Sequence, residues 1–212
     1  MIILTERDRD AIRFVGKWRF ATLEQLLKAG IFLTSRKRAY HRLYELCQGE
    51  YLKARILDRG QLYYYLTPKG GEAAGFLDLY WSSRYRDARR DLVLKTLTAC
   101  DFSLAAGVEY VTKQEVLERL KSAPYDTLKS CLKGQQLYYV QGSMLHALTI
   151  DYNLSLKYLA QKIKTYSRLP SGLRSEVVLD FLVFSETRQA QVKALSKKSS
   201  VIVTAILGNW KY

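Results

Sequence analysis

The chain has 212 residues and a formal net charge of +14, from 34 lysines and arginines against 20 acidic residues. This length suits one domain or two small ones, and 48% hydrophobic residues are enough to form a buried core. The excess of positive charge favours a polyanionic partner, of which nucleic acid is the commonest. We find no apolar run of about 18 residues and no signal-peptide pattern, so we expect a cytoplasmic protein that makes no membrane contact.

The three cysteines, Cys47, Cys100 and Cys131, lie far apart and form no Cys-x-x-Cys pair, and the chain has only two histidines. This composition argues against a zinc site and against a disulfide framework. We therefore expect no metal and no cofactor.

The first 30 residues predict two helices with a strand between them. Both helices begin with a capping box, in which a threonine exchanges hydrogen bonds with the third residue after it. The boxes and the glycines that end the helices are Thr5 and Asp8 with Gly16, then Thr22 and Gln25 with Gly30. Residues 17–20, between the two helices, are typical of a short strand.

Residues 35–47 predict a third helix, with Ser35 as its N-cap. At about 100° per residue, one side of this helix is apolar and the other is cationic and aromatic. The apolar side comprises Ala39, Leu43, Leu46 and Cys47, and the outward side comprises Lys37, His41, Tyr44 and Gln48, flanked by Arg38, Tyr40 and Arg42. Such an outward side suits the major groove of DNA, which admits an α-helix and displays base edges.

Two short strands follow at 52–57 and 62–66, with Gly60 in the turn between them. Glycine supplies the positive φ that a tight hairpin turn requires. A basic helix followed by a hairpin with Arg59 at its tip is typical of a winged helix-turn-helix, and Pro68 with the glycines after it ends the second strand. We predict a winged helix-turn-helix DNA-binding domain over residues 1–75.

The predicted DNA-binding surface combines the third helix with the hairpin. Part of it faces base edges, and part contacts phosphates or enters the minor groove. The base-facing residues are Lys37, Tyr40, His41 and Tyr44. The phosphate-contacting residues are Ser35, Arg36, Arg38, Arg59 and Lys69, and Arg42 and Arg55 also belong to the surface. No catalytic residue is assigned.

Residues 76–100 predict a connecting helix, which Ser82 or Ser83 opens and which ends at about Cys100. Its first half is rich in charge: Arg84, Arg86, Arg89 and Arg90, with Asp87 and Asp91. Two interpretations are open, a solvated face with internal ion pairs or an extension of the phosphate-contacting surface. The helix is also a candidate for homodimerisation, because palindromic DNA sites suit two-fold symmetric proteins.

Residues 101–212 predict a small α/β domain, which makes the whole chain α+β. A capping box at Thr112 and Glu115 opens a helix to about Lys121. The later elements are strands at 137–140 and 144–150, a helix from Asn153 or Ser155, a strand at 177–184, a helix at 186–196 and a strand at 201–207. The strand at 177–184 is apolar enough to be buried on both sides, and the strand at 201–207 is also expected to be buried. The order of elements indicates a partly parallel sheet.

Residues 4–12, 20–26 and 66–70 resemble the replication-relaxation family of plasmid and mobile-element proteins. The resemblance implies a winged helix joined to a fold similar to the restriction-endonuclease core, as in some plasmid mobilisation proteins. It further implies action on double-stranded DNA at an origin of transfer or replication (in a relaxosome, during conjugation), with a relaxase or another DNA-processing protein as partner. A transcription regulator is the other interpretation within the same class.

A metal-dependent nuclease or relaxase is the enzymatic alternative. Nucleases on that core hold a divalent cation with an Asp before one strand and Glu-x-Lys on the next. Here Thr149 stands where Glu is expected, and Gln135 and Gln136 precede it in place of Asp. Asp151 is then a single carboxylate, and we interpret it as a cap for the next helix. We predict a degenerate core without enzymatic activity.

Two further features favour structural roles. Asp180 and Glu176 are separated by about 13 Å along a strand, too far to share one ion, so Asp180 has a structural or sheet-edge role. None of the 16 tyrosines is accompanied by a histidine triad, as a tyrosine nucleophile of a relaxase would be. A last alternative is a winged helix that binds protein, with the α/β half as a docking module.

Overall fold

The structure is a computed structural model, and it describes residues 3–57, 60–75, 88–132, 137–197 and 199–209. The protein is a mixed α+β protein with two separate sheets, as predicted. The chain divides into two compact units, one up to residue 106 and one from 107 to 211. None of the helices in the described ranges is long and apolar enough to cross a membrane.

The first unit has a three-stranded antiparallel sheet in the order β1–β3–β2. In chain order its elements are α1 (Glu6–Trp18), β1 (Ala21–Thr22), α2 (Leu23–Lys28), α3 (Arg36–Gln48), β2 (Leu52–Ile56), β3 (Leu62–Leu66), α4 (Pro68–Ala73) and α5 (Arg90–Ala106). The hairpin register pairs Leu52 with Leu66 and Ile56 with Leu62. Both predicted hairpin strands are therefore confirmed.

Side-chain caps determine where the first three helices begin. Thr5 and Thr22 each form a complete capping box, with Asp8 and Gln25 respectively. Ser35 accepts a hydrogen bond from a first-turn N–H of α3. All three predicted helix starts are confirmed, and an N-cap of this kind contributes about 1 kcal/mol.

The apolar side of α3 packs into the main core of the first unit. Ala39, Leu43 and Leu46 are fully buried, as predicted, whereas Cys47 is only half-buried. They share one cluster with residues of α1, α2 and β3, among them Ile12, Val15, Leu26 and Tyr64. The opposite side of α3 consequently faces outward.

The second face of the sheet is covered by α5. Tyr63 and Tyr65 of β3 pack against Val93 and Leu97 of α5. The side-chain amide of Gln25 also donates to the Leu97 carbonyl at 2.7 Å. α5 is thus an integral part of the first unit, and its Val93–Leu97 face is used within it.

The prediction of a strand at 17–20 is wrong. α1 continues through Gly16 to Trp18, and the rings of Phe14 and Trp18 lie 6.3 Å apart, one helical turn from each other. Arg19, with a φ of 70°, ends the helix in place of the predicted Gly16. The first strand is only the two residues of β1.

The short helix α4 was not predicted, because Pro68 and its glycines were interpreted only as the end of a strand. Pro suits the first turn of a helix, where its missing N–H would have no partner. Thr67 provides the N-cap. Gly70 is required here, because a Cβ at this position would lie 2.0 Å from the Tyr51 carbonyl oxygen.

The predicted connecting helix is partly described. α5 runs from Arg90 to Ala106, beyond the predicted end at Cys100. The proposed helix start and part of its charged half lie outside the described residues, namely Ser82, Ser83, Arg84, Arg86 and Asp87.

The second unit has a four-stranded mixed sheet in the order β4–β5–β6–β7. Its elements are α6 (Lys113–Arg119), α7 (Tyr125–Cys131), β4 (Leu137–Gln141), β5 (Met144–Ile150), α8 (Leu156–Tyr166), α9 (Ser171–Arg174), β6 (Val177–Val183), α10 (Glu186–Ser196) and β7 (Ile202–Leu207). β4 and β5 form an antiparallel hairpin, whereas β5, β6 and β7 run parallel. The predicted strands, the later helices and the partly parallel sheet are confirmed.

Two helices of the second unit, α7 and α9, were not predicted. The expectation of a buried last strand is wrong: β7 is an edge strand, and Ile202 and Leu207 are 49% and 40% exposed. Only β6, whose seven residues are all buried, has the central position that both apolar runs suggested.

Candidate nucleic-acid interface

The outward side of α3 is exposed. Tyr40 and Tyr44 are 48% and 54% exposed, and the His41 side chain is 72% exposed. Lys37 is also exposed and has no ion pair within the described ranges. The four residues predicted to face base edges therefore lie together on one accessible helix surface.

Arg42 lies in an ion-pair network inside the first unit. Its Nε and Nη2 donate to the carboxylate oxygens of Asp8 at 2.8 and 2.6 Å, and its Nη1 donates to Glu45 at 2.5 Å. Asp8 is only 1% exposed. Burial raises the pKa of Asp8, but hydrogen bonds from Arg42 and Thr5 outweigh it and hold this pKa below its usual value. Arg42 thus joins α3 to α1 and orients the outward side of α3.

The residues at the start of α3 are accessible to a phosphate. Ser35 caps the helix, and Arg38 is exposed. Arg36 pairs with Glu24 at 3.0 Å, with the arginine side chain 75% exposed. An exposed pair of this kind contributes little stability, about 0–1 kcal/mol, so Arg36 can exchange Glu24 for another anion.

The remaining predicted contacts are dispersed. Lys69 donates to the carbonyl of Gly49 at 2.7 Å, at the far end of α3 from Ser35. Arg55 is exposed on β2, with its guanidinium 6.0 Å from the ring centre of Tyr65. Arg59 lies outside the described residues.

A groove of about 320 Å³ lies between α3 and the hairpin. Tyr40, Tyr44 and Gln48 of α3 line one wall, and Lys53 of β2 lies on the other. Sequence reasoning placed Gln48 on the outward side without assigning it a contact, and it did not single out Lys53. Lys53 lies on β2, an edge strand whose last four residues are all exposed. Only the strand order shows that β2 is an edge strand, so the sequence alone does not single out Lys53.

Asp151, in the second unit, is not the N-cap of α8; Ser155 is. One oxygen of Asp151 accepts from the N–H of Leu154 at 2.8 Å, in the turn before the helix. The other accepts from Arg188 of α10 at 2.6 Å. The carboxylate therefore ties the end of β5 to α10.

Asp180 has a structural role, as predicted, but at the centre of the sheet and not at its edge. It is 1% exposed and accepts from the Tyr139 hydroxyl at 2.6 Å. It also lies 2.7 Å from His146 Nδ1. Burial and the neighbouring carboxylate raise the pKa of Tyr139. These contacts join β4, β5 and β6.

Among the described residues, no three His, Cys, Asp or Glu side chains are grouped as a metal site would require. Comparison with known proteins found no matching family model, no matching curated protein and no matching solved structure.

Proposed function

We propose that the protein binds double-stranded DNA and that α3 is its recognition helix. The first unit is then a winged helix-turn-helix, with α2 and α3 as the helix pair and the β2–β3 hairpin as the wing. The order helix, strand, helix, helix, strand, strand supports this assignment, together with the pairing of β1 against β3.

The observation that carries the proposal is the outward side of α3. One side of the helix is fixed in the core by Ala39 and Leu43. The opposite side presents Lys37 and His41 to solvent, with Tyr40 and Tyr44 beside them. A helix of this kind fits the major groove, where its ammonium, imidazole and hydroxyl groups can hydrogen-bond to base edges.

Phosphate contacts are proposed for the exposed cations around that helix. Arg36 and Arg38 lie at its start, and Lys53 and Arg55 lie on the adjacent strand. Contacts of this type fix the register of a protein on the duplex and supply most of its sequence-independent affinity. Arg42 has a different proposed role: it positions α3 through Asp8.

Sequence-specific action in plasmid or mobile-element DNA processing, or in transcription regulation, is the proposed context. The resemblance of residues 4–12, 20–26 and 66–70 favours the first. A nuclease site at Asp151 is disfavoured, because its carboxylate is occupied by Arg188 and the Leu154 N–H.

Selection of bound sequences from random duplex DNA tests this proposal. We expect enrichment of a defined motif, and footprinting of the selected site should show protected bases in the major groove. Recovery of unenriched sequences after repeated rounds would contradict a recognition role for α3.

A further inference from the structure

We propose that the second unit carries its own phosphate-binding surface, formed by α8 and the C-terminal end of α10. This surface would contact the backbone of nucleic acid without regard to sequence. The inference rests on the proposed DNA-binding function and adds a second contact to it.

The surface begins with the charge of α8 and its flanks. Residues 152–175 contain five lysines and arginines and no acidic residue. Four polar residues recur at helical spacing and are all exposed, so they form one stripe. The stripe comprises Lys157, Gln161, Lys164 and Arg168. At 1.5 Å per residue it is roughly 16 Å long, which spans several phosphates of a duplex strand.

The opposite side of α8 is already used. Leu159, Ile163 and Tyr166 are at most 6% exposed and belong to the core of the second unit. A helix that lies on a membrane needs a free apolar face to insert into the lipid, in addition to a basic face. Leu156 and Tyr158, in the first turn of α8, are 41% and 47% exposed. The rest of the free face offers charge and hydrogen-bonding groups, which favours a nucleic-acid backbone over a lipid surface.

The end of α10 adds further donors beside this stripe. Lys164 of α8 and the next residue after the helix, Ser167, line a groove of about 300 Å³ together with Ser199 and Ser200, which follow α10. Arg174 donates to the Ser200 hydroxyl oxygen at 2.9 Å. Hydroxyl groups beside lysine and arginine side chains are common phosphate contacts in protein–DNA complexes.

The cations of this surface have no acidic partner within the described ranges. They are Lys157, Lys164, Arg168, Lys193 and Lys197, and all are exposed. Glu176, just after α9, is the exposed acid nearest to α8 in the sequence, and other exposed acids of the unit include Glu115, Glu118 and Asp126 on α6 and α7 and Glu186 at the N-terminal end of α10. The positive charge is therefore concentrated on α8 and the C-terminal end of α10.

A purely structural explanation covers only part of this pattern. Lysines in the last turn of a helix, such as Lys164 and Lys193, interact favourably with the helix dipole. Lys157 lies in the first turn of α8, where the dipole favours an acidic side chain. That position carries a cation although it gains nothing from the helix.

The test uses the whole 212-residue chain and a duplex of mixed sequence, with affinity measured by fluorescence anisotropy at several salt concentrations. The variant replaces Lys157, Lys164 and Arg168 by alanine. A matched control replaces Lys113, Lys121 and Lys129, which are exposed cations near the acids of α6 and α7. Thermal unfolding of both variants checks that the fold is retained.

We expect the α8 variant to flatten the plot of log affinity against log salt by about 2.7 in slope, or about 0.9 for each phosphate that is no longer neutralised. The control should leave the slope nearly unchanged. Equal slope changes in both variants would mean that only net charge matters, and no change in the α8 variant would also overturn the inference. So would a loss of binding to phosphatidylserine vesicles without any loss of binding to duplex DNA.

A third variant, Lys37→Ala with His41→Ala, separates this inference from the proposed function. If it leaves the affinity for the sequence recovered by selection unchanged while the α8 variant weakens binding to the mixed duplex, the role of α3 is wrong and the α8 surface stands. The reverse result rejects the α8 surface alone. Absence of duplex binding by the unaltered protein at low salt rejects both.

Discussion

At the scale of single residues, the contact between Arg42 and Asp8 determines how α3 is held. Replacement of Arg42 by alanine leaves a carboxylate that is 1% exposed without its cationic partner. We expect a loss of about 3 kcal/mol in the free energy of unfolding, measured by urea denaturation. Arg38→Ala removes an exposed arginine from the same helix and should change stability by less than about 0.5 kcal/mol. Equal effects of the two substitutions would contradict a positioning role for Arg42.

The same pair predicts how stability depends on pH. The pKa of Asp8 in the folded protein lies below its usual value of 3.8, so the folded state binds this proton less readily than the unfolded chain. The stabilisation is therefore complete above that value and is lost as the pH falls through the folded pKa. The stability difference between the unaltered protein and Arg42→Ala should keep its full size above pH 3.8 and shrink as the pH falls below that value. A difference that stays constant as the pH falls below that value would contradict the assignment.

Tyr139 donates to a carboxylate that is almost fully buried. Tyr139→Phe removes only the hydroxyl, and we expect a loss of about 1.5–3 kcal/mol, the range for hydrogen bonds to charged groups. Tyr158→Phe is the control, because Tyr158 is 47% exposed on α8. Chemical denaturation of both variants measures the effect. If Tyr139→Phe is no more destabilising than the control, the Tyr139–Asp180 contact is not a structural bond.

At the scale of elements, the edge strand β7 depends on a side chain from α10. Gln189 donates its amide hydrogen to the Ala205 carbonyl at 2.8 Å. Among the described strands, β7 pairs only with β6, and its six residues carry no charge. An uncharged edge of this kind is a template for pairing with another chain.

We therefore expect Gln189→Ala to increase self-association with protein concentration, observed by light scattering during size-exclusion chromatography. Gln191→Ala on the same helix is the control, since Gln191 is exposed and contacts Arg188 instead. If both variants show the same molar mass as the unaltered protein at all concentrations, Gln189 does not protect the edge.

Local signals predicted most of the elements. Capping residues such as Thr22 and Ser35 act within one turn, so the sequence is sufficient to locate those helix starts. The extension of α1 to Trp18 was missed because Gly16 was interpreted as the end of the helix, although Phe14 and Trp18 are spaced by one helical turn. Helical periodicity also identified the outward side of α3 correctly.

What the sequence could not show are contacts between distant residues. Asp8 lies 34 residues before Arg42 along the chain, so periodicity around Arg42 gives no sign of their ion pair. Strand order is equally non-local. Ile202–Leu207 is as apolar as a central strand. It is identified as an edge strand because, among the described strands, it pairs with β6 and with no other.

At the scale of the whole molecule, the net charge of +14 is shared by both units. This charge predicts that the affinity for DNA depends strongly on salt concentration. Contacts to phosphates release counterions, so affinity for DNA should fall steeply as salt rises. Base contacts by α3 would instead change the ranking of sequences. The two properties can therefore be separated by measuring them on selected and mixed sequences.

The affinity of Lys37→Ala with His41→Ala for the sequence that selection recovers measures whether α3 reads DNA bases. We predict binding weaker by at least about tenfold, because removal of one side chain that reads a base costs about 1–3 kcal/mol. The control variant combines Gln114→Ala, on α6, with Lys121→Ala, just after it, and likewise removes one exposed lysine. It should bind as the unaltered protein does. Affinity of the α3 variant equal to that of this control would contradict the assignment of α3 as the recognition helix.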